Sequence, residues 1–506
     1  MTPKPTSRQP IAQNHKAYDA SWRKWRRCRD ACAGSDRIKE AGVEYLPSLS
    51  AHRTDDGGRL GSGRDRYEAY LKRALWYNMS RRTKVGLSGV ATMRPPKVAT
   101  SSDKAAELAK VVVHFRYQLL EEQVEVGRGV MLVNQVGSGD PFPSFFWAES
   151  VVNWAFEYVG GRYQLKMLVI EDDEEVGTPE NPYETKTQLV RHSYVMRDGA
   201  CHYTRWAKPE TSDQWLERAE GDVVVTRFGG EPLDHIPAMT VGATSTNEPD
   251  VEDPILLDLV DVNISHYQNS ADLEHGRHWT ALPTAVASGF PTTDQSGKPV
   301  VLNVGGESAW ITEQPGASAH YLEFSGSGLG HLSEGMKDKQ AMAAVLGARL
   351  LEEQRNAVES AETLKTRHAG ERSVLSRVVR ACSEALTWSL REMLLFAQPG
   401  YVVEEGEDTI DLNTDFLDRK ITPAELQAYT ATLQAGGISY STYFSLLQGA
   451  EIIPEGRTEE EETELIDAGN PGAASADPFA GKGKPEEPDD KDEKPEDGDE
   501  PEDDDR

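Results

Sequence analysis

One stretch of this chain constrains its fold more than any other, the run from residue 255 to 397. It reads as a helix, a Pro- and Gly-punctuated segment with strand character, a second helix, a short charged break and a third, longer helix. In the first helix, expected from 255 to about 276, Leu256, Leu259, Val260, Tyr267 and Ala271 share one side. Asp258, Asp261, Ser265 and Asp272, spaced by three, four and seven residues, form an acidic stripe on another. The second helix is expected over 329–351 and carries the small-residue run AMAAVLGA. Glu352, Glu353, Gln354, Arg355 and Asn356 then interrupt the helical pattern, and Asn356 with Glu359 matches a capping box that restarts it. In the third helix, over about 358–397, Leu364, His368, Leu375, Val378, Cys382, Leu386, Leu390 and Met393 keep the three-to-four spacing of a buried seam. Gly370 is its natural kink. Some 40 residues at roughly 1.5 Å each make a helix of about 60 Å, which suits an elongated subunit.

The residues before 255 read differently. Trp22, Trp25, Cys28, Arg29 and Cys32 recur at helical spacing beside Arg23, Lys24, Arg26 and Arg27, and this helix stops near Gly34. One further helix is expected from residue 64 toward Pro95, and another over 104–127. From 130 to 241 short β-branched and aromatic runs alternate with Gly160-Gly161 and Asp198-Gly199, which suit hairpin turns, so this part is an antiparallel meander. Its acidic run EDDEEVG (171–177) lacks EF-hand loop spacing and reads as an exposed turn. After residue 401, two helices are expected to meet at Gly436-Gly437, the first with Pro423 in its opening turn under a Thr422 cap.

Of the net charge of −30, the segment 459–506 holds 21 acidic and 5 basic residues. Its end, DKDEKPEDGDEPEDDDR, has no aromatic residue and cannot offset its own ordering entropy, so a disordered tail is expected from 458. Solubilising the chain and docking to a basic partner are both open roles for it. This balance excludes a general DNA-gripping protein, which would neutralise phosphates with clustered Lys and Arg. No apolar run reaches the roughly 18 residues of a membrane span, and the first 20 residues have no signal-peptide core, so a protein retained in the cell and off the membrane is expected. Four cysteines make no disulfide framework. Phosphate-loop, nucleophile-elbow and zincin patterns are absent, and the glycines of SGSGLGHL follow no Rossmann strand. Cys28 with Cys32 has no second ligand pair, while His202 points opposite its neighbour Cys201, near His192. No enzyme, metal or cofactor is expected.

In order, Trp25, Arg29, Asp30 and Gly34, the YLP of 45–47, RTKVGLSGVATMRPP, HIPAMTVG and GGISYSTYFSLLQGAEIIP resemble the portal proteins of tailed bacteriophages, in a subgroup long catalogued as a domain of unknown function. The likeness spans roughly residues 14–457. It implies an α+β, elongated subunit with a mixed α/β wing (1–254), stem helices (255–279 and 326–346), a small α/β clip (280–325), a tunnel loop (347–358), a long kinked helix (359–400), a helical crown (401–457) and the acidic tail. It also implies a homo-oligomeric ring, usually of twelve subunits, at one capsid vertex of the virion, with double-stranded DNA passing through its channel. Terminase large subunit, head–tail adaptor, capsid and scaffolding proteins are the implied partners. On this likeness Glu352, Glu353, Gln354, Arg355 and Asn356 face DNA in the tunnel loop, and Asp258, Asp261, Ser265 and Asp272 line the stem lumen. For that stripe a solvated outer face or contacts between subunits remain open. A head–tail adaptor or minor capsid protein without a channel is the rival reading.

Overall fold

The computed structural model describes residues 9–53, 63–135, 139–178, 181–209, 212, 214–217, 221–282, 284–290, 293, 298, 313–322, 326–350, 373–404, 406–414, 416, 423–450, 452–454 and 457–469. The chain divides into two units, Met1–Phe416 and Leu417–Arg506.

The first unit opens with α1 (Lys16–Ala33), capped by the His15 side chain and ended by Gly34 at φ 113°, a conformation that favours glycine. Trp25, Cys28 and Cys32 are buried along it, as their spacing requires. After α2 (Ser35–Ala41) come α3 (Gly63–Arg73) and α4 (Met79–Ala91). A single helix was expected there. The chain breaks instead at 74–78, where Asn78 caps α4 by accepting from the Arg81 N–H (2.9 Å) and a distant side chain, Asn263, takes the N–H groups of Met79 and Ser80 (3.0 and 3.1 Å).

Strand β1 (Lys97–Ala99) leads to α5 (Asp103–Val113) and α6 (Arg116–Glu125), again two helices where one was expected. His114 and Phe115 bond three residues back, and the Arg116 guanidinium donates to the Val113 carbonyl at 3.0 Å, drawing it out of the helical ladder. The β part runs β2 (Arg128–Asn134), β3 (Phe142–Trp147), β4 (Val151–Val159), β5 (Arg162–Thr178), β6 (Asn181–Arg197), β7 (Ala200–Lys208), β8 (Leu216–Glu217), β9 (Val223–Val224) and β10 (Ala238–Gly242). Strands β4 to β8 form an antiparallel meander in chain order, with β9 also paired to β7, while β2 lies between β10 and β3. The turns at Gly160-Gly161 and Asp198-Gly199 carry positive φ at all four residues.

The acidic run 171–177 is not a turn. It lies inside β5, where Glu171 pairs with Arg191 of β6 (2.7 Å) and Glu174 with Arg205 of β7, so cross-strand cations hold it extended.

Next come α7 (Leu257–Thr280), the two-stranded hairpin β11 (Thr284–Ser288) and β12 (Ser318–Leu322), α8 (Leu329–Arg349) and α9 (Val374–Ala397). Helix α9 is the centre of the core. Leu375, Val378, Cys382, Leu386, Leu390 and Met393 are all buried, against α5, α6, β2 and β10. Leu364, His368, the kink at Gly370 and the break Glu352–Glu353–Gln354–Arg355–Asn356 lie outside the described residues. Beyond α9, within the 401–457 segment expected as a helical crown, β13 (Thr409–Asp411) pairs antiparallel with β1. The Asp408 carboxylate secures it by accepting from the Ser101 N–H and hydroxyl and from Tyr401 Oη.

The second unit contains α10 (Pro423–Gln434), α11 (Tyr440–Gly449) and α12 (Glu459–Gly469). Ser439 caps α11, and Thr430 meets Tyr443 at 2.9 Å between the first two. The proposed Thr422 cap lies outside the described residues. Helix α12 corrects the expected start of the disordered tail, because its first turn is wholly acidic, the sign that a helix N-terminus favours, and Thr458 and Glu461 form a reciprocal cap.

Candidate functional site

The helix pair α7–α8 and its attachment to the preceding helices form the candidate site. The two helices are antiparallel neighbours. Leu329 of α8 lies by Gly276, Lys339 Nζ donates to the Ser265 carbonyl (3.1 Å), Gln340 meets His266 (3.1 Å), and Gly347 approaches Leu259. Only Ala343 of α8 is fully buried in a single chain; Leu332, Met336, Lys339 and Leu346 are half-buried, and Met342 and Val345 are exposed.

Helix α7 is buried on one side only. Asn263, fully buried, accepts through Oδ1 from Met79 N, Ser80 N and the Ser80 hydroxyl, and donates through Nδ2 to the Tyr77 carbonyl. Ser270 bonds both the N–H and the carbonyl of Leu75. The stripe residues sit on the open side. Asp258 is exposed and has no partner among the described residues; Asp261 is held by Arg27 of α1 at 2.6 Å. Asp272 accepts from Tyr70 Oη of α3 at 2.6 Å, and burial together with that bond pushes the Tyr70 phenol far up. Ser265 is engaged through its carbonyl by Lys339. So the four share one stripe, but two of its carboxylates already serve as attachments to other helices of the same chain.

A second charged centre was not anticipated from the sequence. Arg29 of α1 forks onto Glu122 (2.6 Å) and Glu149 (2.9 and 3.0 Å), stands over the Trp147 ring at 5.2 Å, and approaches Glu125, which is also held by Lys84 of α4 (2.6 Å). Glu122 is fully buried; burial pushes its carboxyl up to about 7, against the pull of Arg29. The adjacent cleft, about 810 Å³, is lined by Trp22, Arg81, Lys84 and Trp147 among others. Its paired charges tie α1, α4, α6 and the turn at 148–150 together.

The residues that carried the resemblance have structural duties here. Trp25 is core, Arg29 anchors the network above, buried Asp30 accepts from Tyr45 Oη (2.8 Å) and Arg37 (2.7 Å), and Gly34 ends α1. His235 bridges Asp234 (2.8 Å) and buried Glu392 of α9 (2.9 Å). Cys28 and Cys32 are inert in place, burial pushing both thiols well up. His192 meets Tyr203 and His202 meets Asp222, so they share no ligand site with Cys201, and no metal-holding group occurs among the described residues. No described helix is long and apolar enough to cross a membrane.

A family model described only as "Domain of unknown function (DUF4055)" matches residues 255–397, from just before α7 to the end of α9 and well under half of the chain. Among curated proteins nothing matches. Among solved structures, one described as "Neck of empty GTA particle computed with C6 symmetry" is 13% identical over 75% of this chain and 92% of that one, with a TM-score of 0.37. Another, "Neck of native GTA particle computed with C12 symmetry", is 13% identical over 73% and 89%, with a TM-score of 0.36. Likeness at this level carries no argument about this chain.

Proposed function

We propose that this chain is a ring-forming, portal-type virion subunit whose α7–α8 pair lines a channel for double-stranded DNA, entering during packaging and leaving during ejection. The observation that carries the reading is the helix–hairpin–helix unit of α7, β11–β12 and α8, in which α8 has so little of its surface buried within one chain. A helix with such small burial gains little from its own chain, and neighbouring copies supply the missing contacts. The resemblance read from the sequence assigns the same segment to the stem and clip.

A channel must pass DNA without holding it. In this reading the Asp258–Asp261–Ser265–Asp272 stripe repels phosphates, and Arg355 in the break after α8 is the transient phosphate contact, flanked by Glu352, Glu353, Gln354 and Asn356. The ring would also be the docking platform for terminase, the head–tail adaptor, and the capsid and scaffolding proteins, at the portal vertex. Negative-stain imaging of purified protein, alone and with coat and scaffold, tests the reading. Top views with a central hole support it; open or solid particles under both conditions return the chain to the class of non-channel structural proteins.

A further inference from the structure

The chain is acidic as a whole, yet residues 63–94 carry eight Lys and Arg against two acids. Elsewhere in the first unit cations of the same helical region meet carboxylates: Lys24 with Asp253, Arg27 with Asp261, Arg29 with three glutamates, Lys84 with two. Five cations on and beside α3 and α4 do not. Lys39 donates to the Lys72 carbonyl (3.2 Å), Lys72 is exposed, Arg73 points Nη2 at His278 Nε2 (3.0 Å), Arg81 is exposed, and Arg82 lies over the Tyr77 ring at 4.7 Å. None of the five meets a carboxylate among the described residues.

Two of them stand where the fold disfavours them. Lys72 and Arg73 suit the C-terminal turn of α3, but Arg81 and Arg82 lie in the opening turns of α4, whose first turn has no acid. A cation there opposes the helix dipole and local backbone N–H groups. In the cleft that Arg81 lines, Glu121 and Glu125 are taken by Lys84, Asp30 by Arg37 and Glu149 by Arg29. Arg73 meets α7 at His278, and the Tyr77 carbonyl, whose ring carries Arg82, meets it at Asn263, so these two attachments lie about 22 Å apart along α7 at roughly 1.5 Å per residue. Tyr77 and Trp279, 42% and 53% exposed, stand beside them.

We propose that the α3–α4 segment, laid along α7, is a contact surface for the phosphate backbone of nucleic acid. A run of cations that no carboxylate neutralises matches a polyanion of regular charge spacing better than a compact acidic protein patch. The surface needs no ring, so it and the channel reading fail separately.

The test is fluorescence anisotropy of a short labelled duplex of random sequence with the full chain, at several salt concentrations, for wild type, Arg81→Ala/Arg82→Ala and Arg81→Lys/Arg82→Lys. If each arginine covers one phosphate, the alanine pair weakens binding about 60-fold near 0.1 M salt and lowers the log–log salt slope by about 1.8. The lysine pair restores most of the affinity, and far-UV circular dichroism shows all three folded. Wild-type affinity in the folded alanine pair, absence of salt-dependent duplex binding in wild type, or equal binding of polyglutamate would each overturn the proposal.

Discussion

Replacing Asn263 by leucine removes the joint between α7 and α4 while keeping side-chain volume similar. The Ser80 N–H and hydroxyl lose their acceptor, while the Met79 N–H and the Tyr77 carbonyl keep only their bond to each other (2.8 Å). The site is fully buried, so water does not replace them. An unsatisfied buried group costs about 1–3 kcal/mol; with the hydroxyl free to rotate to a new partner, the stranded Ser80 N–H sets the loss at about 2 kcal/mol. Asn263→Asp keeps the acceptor and forfeits one donor while burying a charge, so it too destabilises. Because a chain of two units need not unfold in one step, the readout is local: amide hydrogen exchange at Met79 and Ser80, supported by urea unfolding. A loss of about 2 kcal/mol in the free energy of local opening makes these amides exchange roughly 30-fold faster. Unchanged exchange at both, with wild-type urea stability, would refute the claim that this side chain ends the helix pair and pins α4 to α7.

The His235 bridge makes stability depend on alkaline pH. Burial opposes its charge, but the hydrogen bonds and charges of Glu392 and Asp234 outweigh that and push it up to about 9. A folded-state pKa above the unfolded value of 6.5 means stabilisation that is complete below about 6.5 and lost as pH rises through about 9. Urea midpoints measured across that window should fall in wild type, with a smaller decline in His235→Gln; equal declines would contradict the assignment. Arg29→Ala strands Glu122 and unties three elements, so a loss of about 3–5 kcal/mol is expected in chemical denaturation, with Glu122→Gln milder. A cost of Arg29→Ala below that of a typical surface substitution would show the network to be ornamental.

What the sequence disclosed was local. The Trp25–Cys28–Cys32 seam, the α9 seam from Leu375 to Met393 and the turns at Gly160-Gly161 and Asp198-Gly199 need only neighbouring residues to be read, and the structure carries all of them. The break before α4 left one local sign, the Asn78 cap, but the acceptor for Met79 and Ser80, Asn263, lies more than 180 residues away. The acidic run in β5 was misread for the same reason, since Arg191 and Arg205 neutralise it from other strands. Strands β1 and β13, three residues each, are too short to show a period. The Arg29 network had one available signal, an arginine that keeps the helical spacing of the buried seam, but its partners come from α6 and the turn at 148–150. The carboxylate stripe was legible as a stripe, whereas its ties to Arg27 and Tyr70 required the packing.

The central claim is that this chain assembles as a ring around a channel, and particle mass in solution tests it most directly. Native mass measurement of the full chain, alone and with its coat and scaffold proteins, should find a closed species near twelve times the 55.9 kDa subunit. A monomer or dimer that persists across salt and concentration under both conditions would contradict it.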